Sequence, residues 1–388
     1  MGAGVLALVA AASALAWVAD APLVPRHGGH PGGHAGWAWL FLALLAAAFV
    51  LYLVGLALLR GARVRVALAL AAAIQLAPLG APLLLSTDAW TYWDYGRIAA
   101  FDGGNPYRDR PADYPDDPAF PHTGTAWRET TTVYGPAFTL ASEGVARTAG
   151  SSADAAAWMY KALAAAAILG AAALASRLSP RPAFAAGFVG WNPLLAVHLG
   201  GGGHNDAWIA LVVLGALAAA ASGRRNLAGA AWATGALVKW VPLVFLPLRA
   251  LEARSTGRAV SHLGFAAAAA AILAAATWRY GTGWLEAFGP LARNANEETS
   301  YALPHRLGLP LGVAIAAFAV GYVLLAWLAW RGRARLGLAA VLLMATTPYL
   351  AAWYTAWAVP VAAAEDDRAA QLAALAFCAY LLPQTVPV

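Results

Sequence analysis

Long apolar runs separated by short polar punctuation set the pattern of this chain. They occupy residues 4–22, 36–59, 64–85, 154–176, 183–199, 206–222, 260–277, 309–330 and 368–383. Alanine and leucine dominate them, and several reach the ~20 residues a helix needs to cross a bilayer core. The in–out alternation of a membrane barrel is absent. Each run is therefore predicted to be a helix. "YGPAFTLASEGVARTAG" (134–150) is apolar but short, and Ser142, Glu143 and Arg147 interrupt it. It is predicted to lie on one face rather than cross. "LAGAAWATGALVKWVPLVFLPLRALEARSTGR" (227–258) reads as a broken helical hairpin turning near Lys239–Pro242. A proline removes a backbone donor, and such breaks persist only where protein or a cavity satisfies the freed groups. Near the end a helix leads out to "PYLAAWYTAW" and a short one returns to "EDDR". The pattern predicts one all-α polytopic domain over 1–388, with about 11–13 transmembrane or partly spanning helices.

The polar punctuation is not uniform. "RGARVR" (Arg60, Arg63, Arg65), "SRLSPRP", "SGRRN" and "RGRAR" are short and basic, as cytoplasmic loops are. The opposing connections are long, acidic and aromatic, and two stand out: 86–135 and 278–308. Both are predicted on the outer face, with the glycine-rich turn 200–206 between them. Residues 1–23 lack a basic segment ahead of their apolar run, so they read as an uncleaved first helix.

Composition sharpens this picture. The 388 residues are 61% hydrophobic and 11% charged, against roughly a quarter charged in soluble domains. The net charge of +6 and the pI near 9.6 come from arginines in short loops, so they imply membrane orientation and not a nucleic-acid partner. Cys378 is the single cysteine, which excludes a disulfide framework or a cysteine metal site. "RHGGHPGGH" (26–34) carries His27, His30 and His34 on a glycine-rich stretch, and a mobile outer loop explains it better than a metal site. "DRPADYPDD" (109–117) reads as a solvated, proline-turned strap. No internal repeat is visible, which weighs against an inverted-repeat transporter.

The remaining polar residues carry the candidate chemistry. Asp88 stands where the third apolar run meets the outer loop, within reach of a lipid-borne head group. Its plainer reading is a helix N-cap in "STDAW". Asp94 and Arg97 are spaced to pair along a helix. "GHND" (203–206) could be a polar turn, and Lys239 could snorkel. A lysine at a helix break beside Trp240 and Pro242 is nevertheless a functional candidate, as ionisable groups inside membrane segments generally are.

Taken in order, "TDAWTYWDYGRIAAFDGGNPY" (87–107), "WRETTTVYGPAF" (127–138), "WNPLLAVHLGGGGHNDAW" (191–208), "ALVKWVPLVFLPL" (236–248) and "PYLAAWYTAWAVP" (348–360) resemble one known family. It comprises the actinobacterial polyprenol-phosphate-mannose-dependent α-(1→6)-mannosyltransferases, within the GT-C superfamily of multi-spanning glycosyltransferases. The resemblance implies a GT-C bundle whose large outer loops hold the active site at the bacterial plasma membrane. It implies Asp88 as general base, with Asp206 in reserve. Lys239, Arg128, His305 and Arg306 are the implied holders of donor phosphate. His204, Asn205, Tyr134, Trp90 and Arg97 fall on the sugar or acceptor side. The implied partners are a polyprenyl-phosphate sugar, a glycan or glycolipid acceptor and membrane lipid. No cofactor and no metal is implied, because the activated donor is itself a substrate. A flippase for a lipid-linked sugar, or transfer of arabinose in place of mannose, are the alternatives. The resemblance does not name the acceptor, since the chain is compact for the family and "RHGGHPGGH" is not one of its signatures.

Overall fold

The computed structural model describes residues 1–26, 32–59, 61–257, 262–294 and 297–388. His27 and His30 of the histidine stretch lie outside the described residues, and His34 precedes the second helix. The amino-terminal half contains α1 (Gly2–Ala14), α2 (Ala35–Leu58), α3 (Val64–Leu76), α4 (Asp88–Ala100), α5 (Pro136–Ala149), α6 (Ala153–Leu178) and α7 (Pro182–Gly190). A three-residue helix, α8 (Pro193–Leu195), then widens into a π-turn over Ala196–Gly201. Next come α9 (Asp206–Ala221), α10 (Arg225–Val238), α11 (Pro242–Ser255), α12 (His262–Tyr280), α13 (Phe288–Asn294) and α14 (Leu303–Arg306). The chain closes with α15 (Leu311–Trp330), α16 (Leu336–Thr346), α17 (Thr355–Glu365) and α18 (Arg368–Tyr380).

The fold is an all-helical polytopic bundle. Helices α2, α6, α12 and α15 are each long and apolar enough to cross a membrane, and α7 with the Pro193–Gly201 segment forms a bent pair at 43°. Helix α1, extended to Trp17, and α3, α9 and α16 are shorter apolar helices. At 14 residues α5 is about 21 Å long, short of a hydrocarbon core and in keeping with a helix that does not cross.

Two expected helices end early. The run 64–85 is helical only to Leu76; Pro78 and Pro82 withdraw backbone donors, so the chain turns tightly over Ala77–Gly80 and then extends. Helix α1 stops near Trp17 instead of residue 22. The loop 86–135 is more ordered than a strap. It holds α4 and short turns, pinned by the buried pair Arg97–Asp117 at 2.7 Å. The expected break falls at Lys239–Val241, between α10 and α11. The two arms diverge: α10 packs between α9 and α12, while α11 packs on α15.

The basic loops gather at one end of the bundle. Arg181 pairs with Asp366, Arg335 with Asp367 at 2.6 Å, and Ala334 N–H donates to Glu252. Helix α10 rises from this end at Arg225 and α11 returns to it at Ser255. Asp88, Tyr134, Lys239 and Trp353 meet at the opposite end.

Candidate active site

Helix α4 opens on Asp88, but Asp88 does not cap it. Thr87 holds the N-cap position without a side-chain bond, and Asp88 N–H donates to Ser86 Oγ at 3.2 Å. The Asp88 carboxylate is thus free to turn inward, where its side chain is 15% exposed. Tyr92, one turn along α4, donates its hydroxyl to Asp88 Oδ2 at 3.2 Å. His204 Nδ1 lies 3.1 Å from the same oxygen, close but not aligned as a linear hydrogen bond. The His204 ring is stacked at 3.6 Å on Trp353. Burial by itself would raise the Asp88 pKa. His204, the Lys239 charge and the Tyr92 hydroxyl outweigh it and hold the carboxyl below its ordinary value. Asp88 is therefore ionised at neutral pH.

The second half of the site comes from "GHND". Gly203 takes φ +73°, and a Cβ there would lie 3.1–3.3 Å from Tyr160, Lys161 and Ala89, so only glycine lets this turn seat against α4 and α6. Asp206 begins α9 fully buried. Its Oδ1 accepts from Lys239 Nζ at 2.8 Å and from Trp357 Nε1 at 2.6 Å. Asn205 Oδ1 is 3.5 Å from the same ammonium. Lys239 reaches this point because α10 ends at Val238. The ammonium lies 5.1 Å from the Tyr354 ring, 5.5 Å from Trp357 and 5.9 Å from Tyr134. A half-exposed lysine would snorkel; this one, 17% exposed, is held in an aromatic box.

Asp88, Tyr134 and Lys239 face a cavity of about 290 Å³, near the lower end for small-molecule sites. Trp353, Tyr354, Trp357 and Tyr349 wall one side, and Val241, Val244 and Leu343 form an apolar flank.

The structure draws together Asp88, His204, Asn205, Asp206, Tyr134 and Lys239. The other candidates lie elsewhere. Arg128 donates to the Thr123 and Pro121 carbonyls of its own loop, both at 3.3 Å. Arg97 is consumed by Asp117 and not by Asp94, whose carboxylate accepts from Thr123. Trp90 donates to Ala153 O at 2.9 Å. His305 pairs with Glu298 at 2.8 Å, and Arg306 stacks over Tyr301. None of these lines the cavity. In the acidic strap, Asp113 pairs with Arg110, and Asp117 with Arg97.

The wall residues Tyr349, Trp353, Tyr354 and Trp357 were not among the candidates the sequence offers, although all four lie in its "PYLAAWYTAW" stretch. Nor was Lys161, a lone lysine within the run 154–176. An ionisable residue inside a predicted span was the available signal.

An all-helical polytopic membrane protein of the GT-C type, with a carboxylate and an ammonium facing one aromatic cavity, is the class this fold and site define. The chain belongs to the alpha-(1->6)-mannopyranosyltransferase family, whose N-terminal-domain model matches residues 2–254. It is similar to alpha-(1->6)-mannopyranosyltransferase A of Mycobacterium tuberculosis, 28% identical over 347 residues, a match covering 76% of this chain. The chain spans 65% of that relative's length. No solved structure matches it at a significant level.

Proposed function

We propose that this protein transfers mannose from a polyprenyl phosphate to a hydroxyl of a glycan or glycolipid acceptor, with inversion. The observation that carries the reading is the pairing of an ionised carboxylate, Asp88, with a boxed ammonium, Lys239, on one cavity. The acceptor oxygen attacks C1 while the C1–phosphate bond breaks, and the hydroxyl proton passes to Asp88. A carboxylate of low pKa suits proton transfer late in the step, once the attacking oxygen has become acidic. The departing phosphate gains charge, which Lys239 balances. Its ammonium serves Asp206 at 2.8 Å and Asn205 at 3.5 Å, which leaves the third N–H for a phosphate oxygen. The polyprenyl chain would leave along Val241, Val244 and Leu343, and the aromatic wall would stack on sugar faces.

The family and the name of the M. tuberculosis relative support mannose as the sugar. The gathering of arginines at the opposite end supports a site on the outer face of a bacterial plasma membrane. No cofactor enters the step, because the donor is already activated. Purified protein incubated with polyprenyl-phosphate mannose and an oligomannoside should extend the oligomannoside by an α-linked mannose. Movement of the lipid-linked sugar across proteoliposomes without product would favour the transporter reading instead.

A further inference from the structure

Lys161 lies nine residues into α6, a helix long enough to span, and is 2% exposed. A buried ammonium without a carboxylate is costly, and it persists only where its donors are fully used. Its hydrogen-bond partners here are backbone carbonyls: Leu79 O at 3.5 Å, Ala81 O, and Pro82 O at 3.4 Å. This is the proline-broken segment between α3 and Asp88, where Pro78 and Pro82 have no N–H to tie the chain down.

The segment beyond the lysine is fixed just as closely. Leu84 N–H donates to Gly201 O at 3.1 Å, joining the segment that leads into α4 and Asp88 to the glycine turn that precedes His204 and Asp206. Leu85 N–H donates to Leu23 O at 2.9 Å, and Leu85 adopts φ +62°. A branched side chain in the left-handed region persists only where its surroundings over-determine it. On the other side, a Cβ at Gly203 would come within 3.2 Å of the Lys161 amide nitrogen. Lys161 thus lies beneath both halves of the site.

We infer that Lys161 is a positioning residue: it anchors the Ala77–Leu85 turn against the Gly200–Gly203 turn and so sets Asp88 relative to His204 and Asp206. This rests on the reading of Asp88 as the base, but its geometric part can be tested without activity. A Cβ at Gly201 would lie 3.4 Å from Leu84 Cβ, within reach of a disulfide. Leu84→Cys/Gly201→Cys is built in a Cys378→Ser background, with Lys161, Lys161→Arg or Lys161→Met, and oxidised with copper–phenanthroline.

Disulfide formation should slow several-fold with Lys161→Met and stay fast with Lys161→Arg. In the reduced Lys161→Met protein, kcat for mannosyl transfer should fall about 10²-fold with donor KM little changed. Oxidation should restore most of that loss, because the tether replaces the clamp. An unchanged oxidation rate in Lys161→Met overturns the inference, as does a tether that restores nothing. If Lys161→Met does not fold, Lys161→Gln, whose amide is one atom shorter and has two N–H groups and so cannot hold all three carbonyls, takes its place under the same criteria. A wild-type protein without transferase activity would sink the functional reading, and the oxidation rates would still decide the role of Lys161.

Discussion

Replacing Lys239 with methionine keeps an unbranched side chain one atom shorter and removes the charge. Asp206, fully buried, would be left with Trp357 Nε1 as the donor to its Oδ1. Removing one partner of a buried ion pair costs ~3–5 kcal/mol. The 17% exposure of the Lys239 side chain puts this pair toward the low end. Cation–π contacts with three rings are lost too, at about 0.5–1 kcal/mol for a partly exposed site. Lys239→Met should therefore lower the midpoint of thermal unfolding in detergent, whatever the donor is. Adding Asp206→Asn removes the stranded charge and should recover most of the stability. Donor affinity should not recover with it. A charge-assisted hydrogen bond is worth about 1.5–3 kcal/mol, or roughly 10–150-fold in binding. The assay is titration of polyprenyl phosphate onto both variants beside their melting curves. A double variant that is stable and binds like wild type would refute the assignment of Lys239 to phosphate and leave it a structural partner of Asp206.

Three further outcomes are expected. Transfer should proceed undiminished in excess EDTA if Lys239 carries the phosphate charge as proposed; loss of turnover restored by Mg²⁺ or Mn²⁺ would contradict that. Burial, with help from Asp117 and Asp102, pushes Asp94 up to about 7 against the Thr123 hydrogen bond. A raised carboxyl pKa stabilises the folded state below the unfolded value and loses that contribution as pH rises through the folded one. Stability should thus decline between about pH 4 and 7, and Asp94→Asn should flatten that decline; an identical pH profile in the variant would refute it. Finally, cysteines placed at the exposed positions Ala126 and Thr282 should label from outside the cell, whereas one at the exposed Arg333 should not. Labelling of Arg333→Cys from outside would invert the topology.

The helical bundle was legible because apolar runs of membrane length have few alternatives, and the break at Lys239 was legible because proline cannot continue a hydrogen-bond ladder. The early end of α3 was not. Its apolar run continues to Leu85, and composition does not register that Pro78 and Pro82 end the α-helix in a tight turn and an extended segment. Asp88, "GHND" and Lys239 were recognisable as polar groups in apolar surroundings, and the fold brings them together. Arg97, Arg128 and His305 carried the same chemical signal. What separates them is pairing with Asp117, with carbonyls of the same loop and with Glu298, which depends on how the loops fold and which no helical spacing encodes. The aromatic wall escaped for the opposite reason: tryptophan and tyrosine are common at any membrane boundary, so their position near residue 353 did not mark a site.

The most direct test is single-turnover mannosyl transfer by Asp88→Asn. Asn keeps the size of Asp, and no capping bond is lost, because the Asp88 carboxylate makes none. The account predicts a folded protein that binds polyprenyl-phosphate mannose normally and turns over at least ~10²-fold more slowly. Asp206→Asn, measured alongside, should weaken substrate use more than the chemical step. A near-wild-type rate in Asp88→Asn beside an inactive Asp206→Asn would contradict the account and move the base to the second carboxylate.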